Sequence, residues 1–340
     1  MSNRTQAAKM PKQAPILGLF AASLMLLATG CSKVEVSKTG LGHGQPGNLR
    51  MSTRRFDNLN TVVSAGGSSV YLSYLWGAFL FIADDRMNLI PELATQIPTQ
   101  ANGGISRDGL TITYHLRHGV RWHDGAPFAA DDVIFSWHAI MNPKNNVITR
   151  LGYDKIASMT ALDPYTVRVR LKQRYAPAVV SFFGPGEVPF VILPNHLLGK
   201  LPDINRASYN LKPVGTGPFV IDSYDPASGV MLSANPAYWR GQPKLHRIEY
   251  RIVPDANTEM VMLRTGELDA ATLSDAHAQE LANTPGIAIV SEPAPQDTFL
   301  SLNVRHAPLD DVRVRRAIAM AIDRQFFVHA FQHDMGSVAN

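Results

Sequence analysis

Asp108-Gly-Leu-Thr-Ile-Thr-Tyr-His-Leu-Arg-His-Gly-Val-Arg-Trp-His-Asp-Gly-Ala-Pro-Phe128, followed by Ala130-Asp-Asp-Val-Ile-Phe-Ser-Trp137, is the stretch on which the fold turns. Thr111–Arg117 alternates residues of opposite character, the period-2 signature of a strand. Asp124-Gly125 reads as a turn, with Gly125 free to adopt positive φ. Helical spacing then takes over. Over Asp131–Met141, Val133, Ile134, Trp137, Ile140 and Met141 fall on one stripe, and Asp131 and Asp132 occupy the first turn, where the helix dipole favours them. Asn142-Pro143 stops the helix. Ala129 stands at the expected cap position without a hydroxyl, so Asp132 is expected to lack a capping partner, at a local cost of about 1 kcal/mol.

The same alternation of periods continues outward. Thr166–Leu171 places Val167, Val169 and Leu171 on one face and Arg168 and Arg170 on the other. Ile248, Tyr250 and Ile252 alternate with Glu249 and Arg251. Thr258–Thr265 reads as a helix closed by Gly266. Arg313–Phe327 reads as another, with Val314, Ala317, Ile318, Ala321 and Ile322 as its buried stripe and Asp310 or Asp311 as its N-cap. Gly215-Thr-Gly217-Pro218 forces a tight turn into a strand beginning at Phe219. Strands and helices mixed in this way give an α/β class, neither a bundle nor a sandwich.

The chain has 340 residues, 45% hydrophobic and 18% charged, a globular composition with room for two domains. Its formal charge of +4 suggests an anionic partner until the charges are placed. Arg4, Lys9 and Lys12 lie in the first thirty residues with no acid beside them, so the remainder is almost neutral and no nucleic-acid partner is expected. Behind these charges, Ile16–Ala28 is uncharged and largely apolar, too short to span a bilayer, which takes about 20 residues. Small residues then lead into Cys31, the only cysteine. The arrangement resembles a bacterial lipoprotein signal, which implies cleavage before Cys31 and a lipid anchor on its sulfur; the alternative is an ordinary secretory signal with a chance cysteine. Residues 31–48, rich in Gly, read as a tether.

Catalytic and metal chemistry find little support. On a strand, His115 and His118 have opposite parity and cannot share an ion, and a structural role is expected for them and for His123. His329 and His333 are four apart, but Ala330 stands where a metalloprotease pattern requires Glu. Gly66-Gly67-Ser68-Ser69 lacks the second Gly of a nucleophile elbow. The doublets Asp84-Asp85, Asp131-Asp132 and Asp310-Asp311 read as turn or helix-start residues. No enzyme and no cofactor are expected.

Three blocks carry a resemblance: the opening stretch; Pro213-Val-Gly-Thr-Gly-Pro-Phe219 with Asn235-Pro-Ala-Tyr-Trp239; and Pro308-Leu-Asp-Asp-Val-Arg-Val-Arg-Arg-Ala-Ile318 with Ala321-Ile-Asp-Arg324. In that order they resemble the family 5 extracellular solute-binding proteins, the peptide-type binding components of bacterial ABC importers. The resemblance implies a periplasmic-binding-protein-like type II two-lobe fold, with residues 49–297 as first lobe, an inserted subdomain at about 76–185, and residues 298–340 opening a second lobe. It implies that the second lobe is incomplete here, that the cleft of these 340 residues cannot close, and that the acidic residue capturing a peptide amino terminus has no counterpart. The implied ligand contacts are Ala65, Gly66, Gly67, Ser68 and Ser69, with Tyr153 and Phe183 as apolar pocket walls and Leu302 and Asn303 as hinge. The implied protein is a monomer outside the cytoplasmic membrane that delivers peptides to a permease and, through it, to an ATPase. A peptide-signal receptor, or import of nickel, haem or sugar, are the alternatives the same fold allows.

Overall fold

The structure, a computed structural model, describes residues 46–64, 66–186, 188–290, 299–332 and 336–338. The signal segment, Cys31, most of the tether, Ala65, Thr298 and His333 lie outside the described residues. In chain order the elements begin with β1 (Asn48–Thr53), α1 (Gly67–Trp76), β2 (Phe81–Ala83), β3 (Leu89–Pro91), β4 (Thr111–His115) and α2 (Ala130–Met141). There follow β5 (Ile156–Asp163), β6 (Thr166–Leu171), the single turns α3 (Ala178–Ser181) and α4 (Asn195–Leu198), β7 (Phe219–Asp225), β8 (Gly229–Ala234) and β9 (Arg247–Ile252). Four helices close the chain: α5 (Ala256–Thr265), α6 (Asp275–Leu281), α7 (Val312–Ala321) and α8 (Arg324–Gln332).

The largest sheet has the order β1-β9-β8-β7. β1 runs parallel to β9 in the register Asn48↔Arg247 to Thr53↔Ile252, and the other pairs are antiparallel. Between β1 and β7 the chain builds the β2–β3 ribbon and the antiparallel sheet β4-β6-β5. β6 has the burial that its alternation predicts: Val167, Val169 and Leu171 are buried, and Arg168 and Arg170 are exposed. β4 stops at His115, two residues short of the expected Arg117, because the amides of Leu116 and Arg117 turn to the carbonyls of Tyr165 and Leu93. A single core runs through these layers, with Trp76, Phe79, Phe81, Tyr114, Phe128, Phe182, Phe183 and Phe190 fully enclosed.

α2 begins at Ala130, and its inward face is Asp132, Val133, Ser136, Ala139 and Ile140. Ile134, Trp137 and Met141, expected on the buried stripe, sit half-buried at its margins. The stripe is rotated because Ser136 is a polar link inside the core: its hydroxyl donates to the Asp132 carbonyl at 2.6 Å and accepts from the Leu193 amide at 2.7 Å. Asp132 is far from unpartnered. Its carboxylate accepts from the Ala129 amide (3.0 Å), the Trp122 indole N–H (3.2 Å) and the Asn195 amide (2.9 Å), so one group caps two helices and fixes a tryptophan. The missing hydroxyl at Ala129 remains a defect, since no side chain caps α2 from that position. Ala129→Thr is expected to raise stability by about 1 kcal/mol in urea unfolding.

α5 and α6 enclose a second, smaller cluster of Met260, Leu263, Leu268 and Leu281. It is fastened to β1 by the Arg50–Asp269 ion pair (2.8 Å) and by the buried bond from the Ser52 hydroxyl to Glu259. The expected helix over Arg313–Phe327 is two helices. Asp311 caps α7, but Ile322 is extended and Asp323 accepts from the Phe326 amide at 2.8 Å, which starts α8. The stripe Val314, Ala317, Ile318, Ala321 and Ile322 is also not buried: α7 has no buried residue and α8 only Val328. Amphipathic spacing specifies which face is apolar, not how deeply it is covered, and here Val314 and Ile318 are half-buried while Ala317, Ala321 and Ile322 are exposed. Among the described residues no helix is long and apolar enough to cross a membrane.

Candidate ligand-binding edge

In open sheets, ligands bind beyond the carboxyl ends of parallel strands. Here β1 and β9 are parallel, and Ala270 makes a further parallel bridge to Met51 on the other side of β1. The carboxyl end of β1 leads, through residues 54–66, to the amino terminus of α1. The Thr53 hydroxyl donates to the Ser68 hydroxyl at 2.8 Å, which ties the strand end to the helix start. Gly66 is the N-cap in extended conformation, so no side chain caps the helix. Gly67 is exposed, and a Cβ added there would meet nothing within 4 Å. Gly66 and Ser68 are half-buried beside it. The result is an open helix start whose positive polarisation is already faced by the Asp57 carboxylate, with Oδ2 3.5 Å from where a Gly66 Cβ would lie, so it suits a peptide carbonyl better than a second carboxylate.

Ser69, expected to offer its hydroxyl to a ligand, does not. It is fully buried, donating to the Asn58 carbonyl at 2.5 Å and accepting from the Ser64 hydroxyl at 3.2 Å. Tyr153 and Phe183, expected as pocket walls, are core residues at 2% and 0% exposure. The structure brings these two together: the Phe183 amide donates to the Tyr153 oxygen at 2.9 Å, and Tyr153 packs on Phe182, Phe183 and Phe190 with ring centroids 5.3–5.7 Å apart. Burial raises the phenol pKa of Tyr153 well above its ordinary value. Leu302 is half-buried and Asn303 exposed in a turn, where the Asn303 side chain accepts from the Arg305 amide at 3.2 Å.

What holds the edge in place is a convergence that residue spacing did not reveal. The His123 Nδ1 accepts from the Gly215 amide (3.2 Å), so Nε2 carries the proton and donates to the Gly217 carbonyl (3.0 Å). Burial lowers the His123 pKa, against the opposing bond to Gly217, and keeps the ring neutral as this tautomer requires. The Gly217 amide in turn donates to the Trp76 carbonyl at 3.0 Å, the last residue of α1. One glycine turn, distant in sequence and held by His123, thus clamps the carboxyl end of α1, and its amino end is thereby aimed at the sheet edge. Of the other two histidines, His115 is exposed and His118 stacks on Tyr165 at 3.9 Å. Among the described residues, no group of three His, Cys, Asp or Glu is placed to hold a metal ion.

A mixed sheet in which β1 ends at an uncapped helix start, with smaller sheets inserted between β1 and β7, defines an α/β protein. The chain belongs to the bacterial extracellular solute-binding proteins, family 5, whose middle-region model matches residues 88–340. It is 33% identical over 259 residues to "Di/tripeptide-binding protein 2" of Pseudomonas aeruginosa (strain UCBPP-PA14), covering 70% of this chain and 48% of that protein. It is 26% identical to "Oligopeptide-binding protein AppA" of Bacillus subtilis (strain 168), over all of this chain and 61% of that one. Among solved structures it is similar to NikZ from Campylobacter jejuni in complex with Ni(L-His), with a TM-score of 0.76 at 28% identity, covering 87% of this chain and 57% of that one. The chain therefore spans about half to three-fifths of the length of these relatives.

Proposed function

We propose that this chain is the binding component of an ABC importer outside the cytoplasmic membrane. In this reading it takes peptides between two lobes, divided near Leu302 and Asn303, and hands them to a permease coupled to an ATPase. Residues 1–30 are the export signal, Cys31 carries the lipid, residues 31–48 are the tether, and the protein works as a monomer. The observation that carries the reading is the uncapped start of α1 at the carboxyl end of β1, with Gly66, Gly67 and Ser68 open to a peptide main chain. Main-chain recognition of this kind gives affinity with loose side-chain selectivity. The names of the peptide-binding relatives support peptide as the ligand class.

The test is dialysis of the purified chain against a mixed pool of di- to nonapeptides, with mass spectrometry of what it retains. Gly67→Trp is expected to lower retention at least tenfold with an unchanged melting temperature, because the site has free space for a side chain. Equal retention by parent and variant would remove the α1 start from the site. A second reading, a nickel complex as ligand, is favoured by the similarity to the structure holding Ni(L-His). Retention of nickel with histidine, and of no peptide, would replace the first reading by the second.

A further inference from the structure

Three carboxylates are buried among the described residues, and one of them is poorly partnered. Asp132 has three N–H donors, and Glu259 takes the Ser52 hydroxyl. Glu92, 7% exposed, receives a single side-chain hydrogen bond, from the Phe79 amide at 2.8 Å. Two guanidinium groups act on it without bonding to its carboxylate. Arg117 donates through Nε to the Glu92 main-chain carbonyl (2.5 Å), and Arg240 through Nη2 to the Pro91 carbonyl (3.0 Å). Both instead stack on the Trp239 indole, at 4.8 and 4.6 Å from the ring centre. Tyr74 of α1 and Tyr238, in the turn after β8, complete the titratable surroundings, and their own phenol pKa values are raised by burial and then by Glu92.

A carboxylate this enclosed cannot keep its charge cheaply with one amide donor. Burial raises its pKa from 4.5 to about 7, outweighing the Phe79 amide and the two arginines. The site also joins separate parts of the chain: the exit of α1 through Phe79, the β2–β3 ribbon through Glu92 itself, and the Tyr238–Arg240 turn. We propose that Glu92 is a proton-operated catch at this junction. Neutral, it packs among Phe79, Tyr74 and Tyr238 and leaves both arginines on Trp239; ionised, it draws a guanidinium off the indole and shifts the turn against the α1 exit. The catch responds to the acidity of the surrounding medium near neutrality, whatever ligand the chain takes.

The reporter is the Trp239 indole N–H resonance, assigned by its loss in Trp239→Phe and followed from pH 5.5 to 8.5. It should titrate with a midpoint near 7 in the parent chain and stay flat in Glu92→Gln. Arg240→Gln alters an exposed side chain and should raise the midpoint, since a positive charge that favours the carboxylate is gone. Because the folded-state pKa is raised above the ordinary 4.5, this group's ionisation lowers stability as pH climbs from about 4.5 through 7. Glu92→Gln should remove that part of the slope. A flat Trp239 resonance in the parent, a titration that persists in Glu92→Gln, or a midpoint unmoved in Arg240→Gln overturns the proposal.

Discussion

Gly215→Ala is expected to destabilise the fold by about 3 kcal/mol or more, read as a lower urea midpoint in circular dichroism. A Cβ at this position would lie 1.8 Å from the Trp76 carbonyl oxygen and 2.8 Å from the Trp76 ring. Neither neighbour can yield. The carbonyl ends α1 and accepts the Gly217 amide, and the indole is fully enclosed in the core. Overpacking usually costs about 1–3 kcal/mol because side chains can change rotamer; a main-chain obstacle offers no such relief. Gly67→Ala is the built-in control, since it fills open space at the other end of the same helix and should be neutral or slightly stabilising. Equal midpoints for Gly215→Ala and the parent would mean that the glycine turn does not clamp α1.

Asp132→Ala should cost a similar amount, about 3–5 kcal/mol, by a different route. The substitution adds no atoms; it strips the acceptor from the Trp122 indole, the Ala129 amide and the Asn195 amide together. Each buried donor left without a partner costs about 1–3 kcal/mol, less whatever water can reach. Asp132→Asn retains one carbonyl oxygen of the same shape and should lose roughly half as much. Thermal unfolding of the two variants separates the cases. If alanine and asparagine behave alike, the hydrogen bonds are not what holds α2, α4 and Trp122 together.

The sequence was most legible where a pattern is local and repeats. Val167, Val169 and Leu171 specify a buried strand face within six residues, and that face is the one observed. The helix closed by Gly266 follows from a single residue at φ 73°. Long-range matters left no such trace. Nothing in the composition of Asn48–Thr53 announces a parallel partner at Arg247–Ile252. Nothing around His123 announces Gly215 and Gly217 as its two partners. Ser69 was misread for a related reason: a serine at a helix start looks the same in sequence whether its hydroxyl faces a ligand or the Asn58 carbonyl. Tyr153 and Phe183 suit a pocket wall and a core equally by side-chain chemistry, and only the surrounding aromatic cluster decides between them. At Val314–Ile322 the spacing suggested one helix with a buried stripe, whereas α7 ends at Ala321, Ile322 is extended and none of the stripe is buried.

The pairing of β1 with β9 also sets a timetable. The two strands are separated by about 200 residues of chain, so closing that loop costs roughly 5 kcal/mol of chain entropy before the ladder returns any of it. At about 5–20 residues added per second, β1 is made some 10–40 s before β9, the strand it pairs with along its whole length, and the Ala270 bridge on its other side comes later still. Its contacts are of the high sequence separation that slows folding. Until residue 252 is made, the strand that carries Thr53 and aims α1 has nowhere to dock. The first of the described strands to be synthesised is therefore placed late, and the candidate binding edge forms only after β9 has been made.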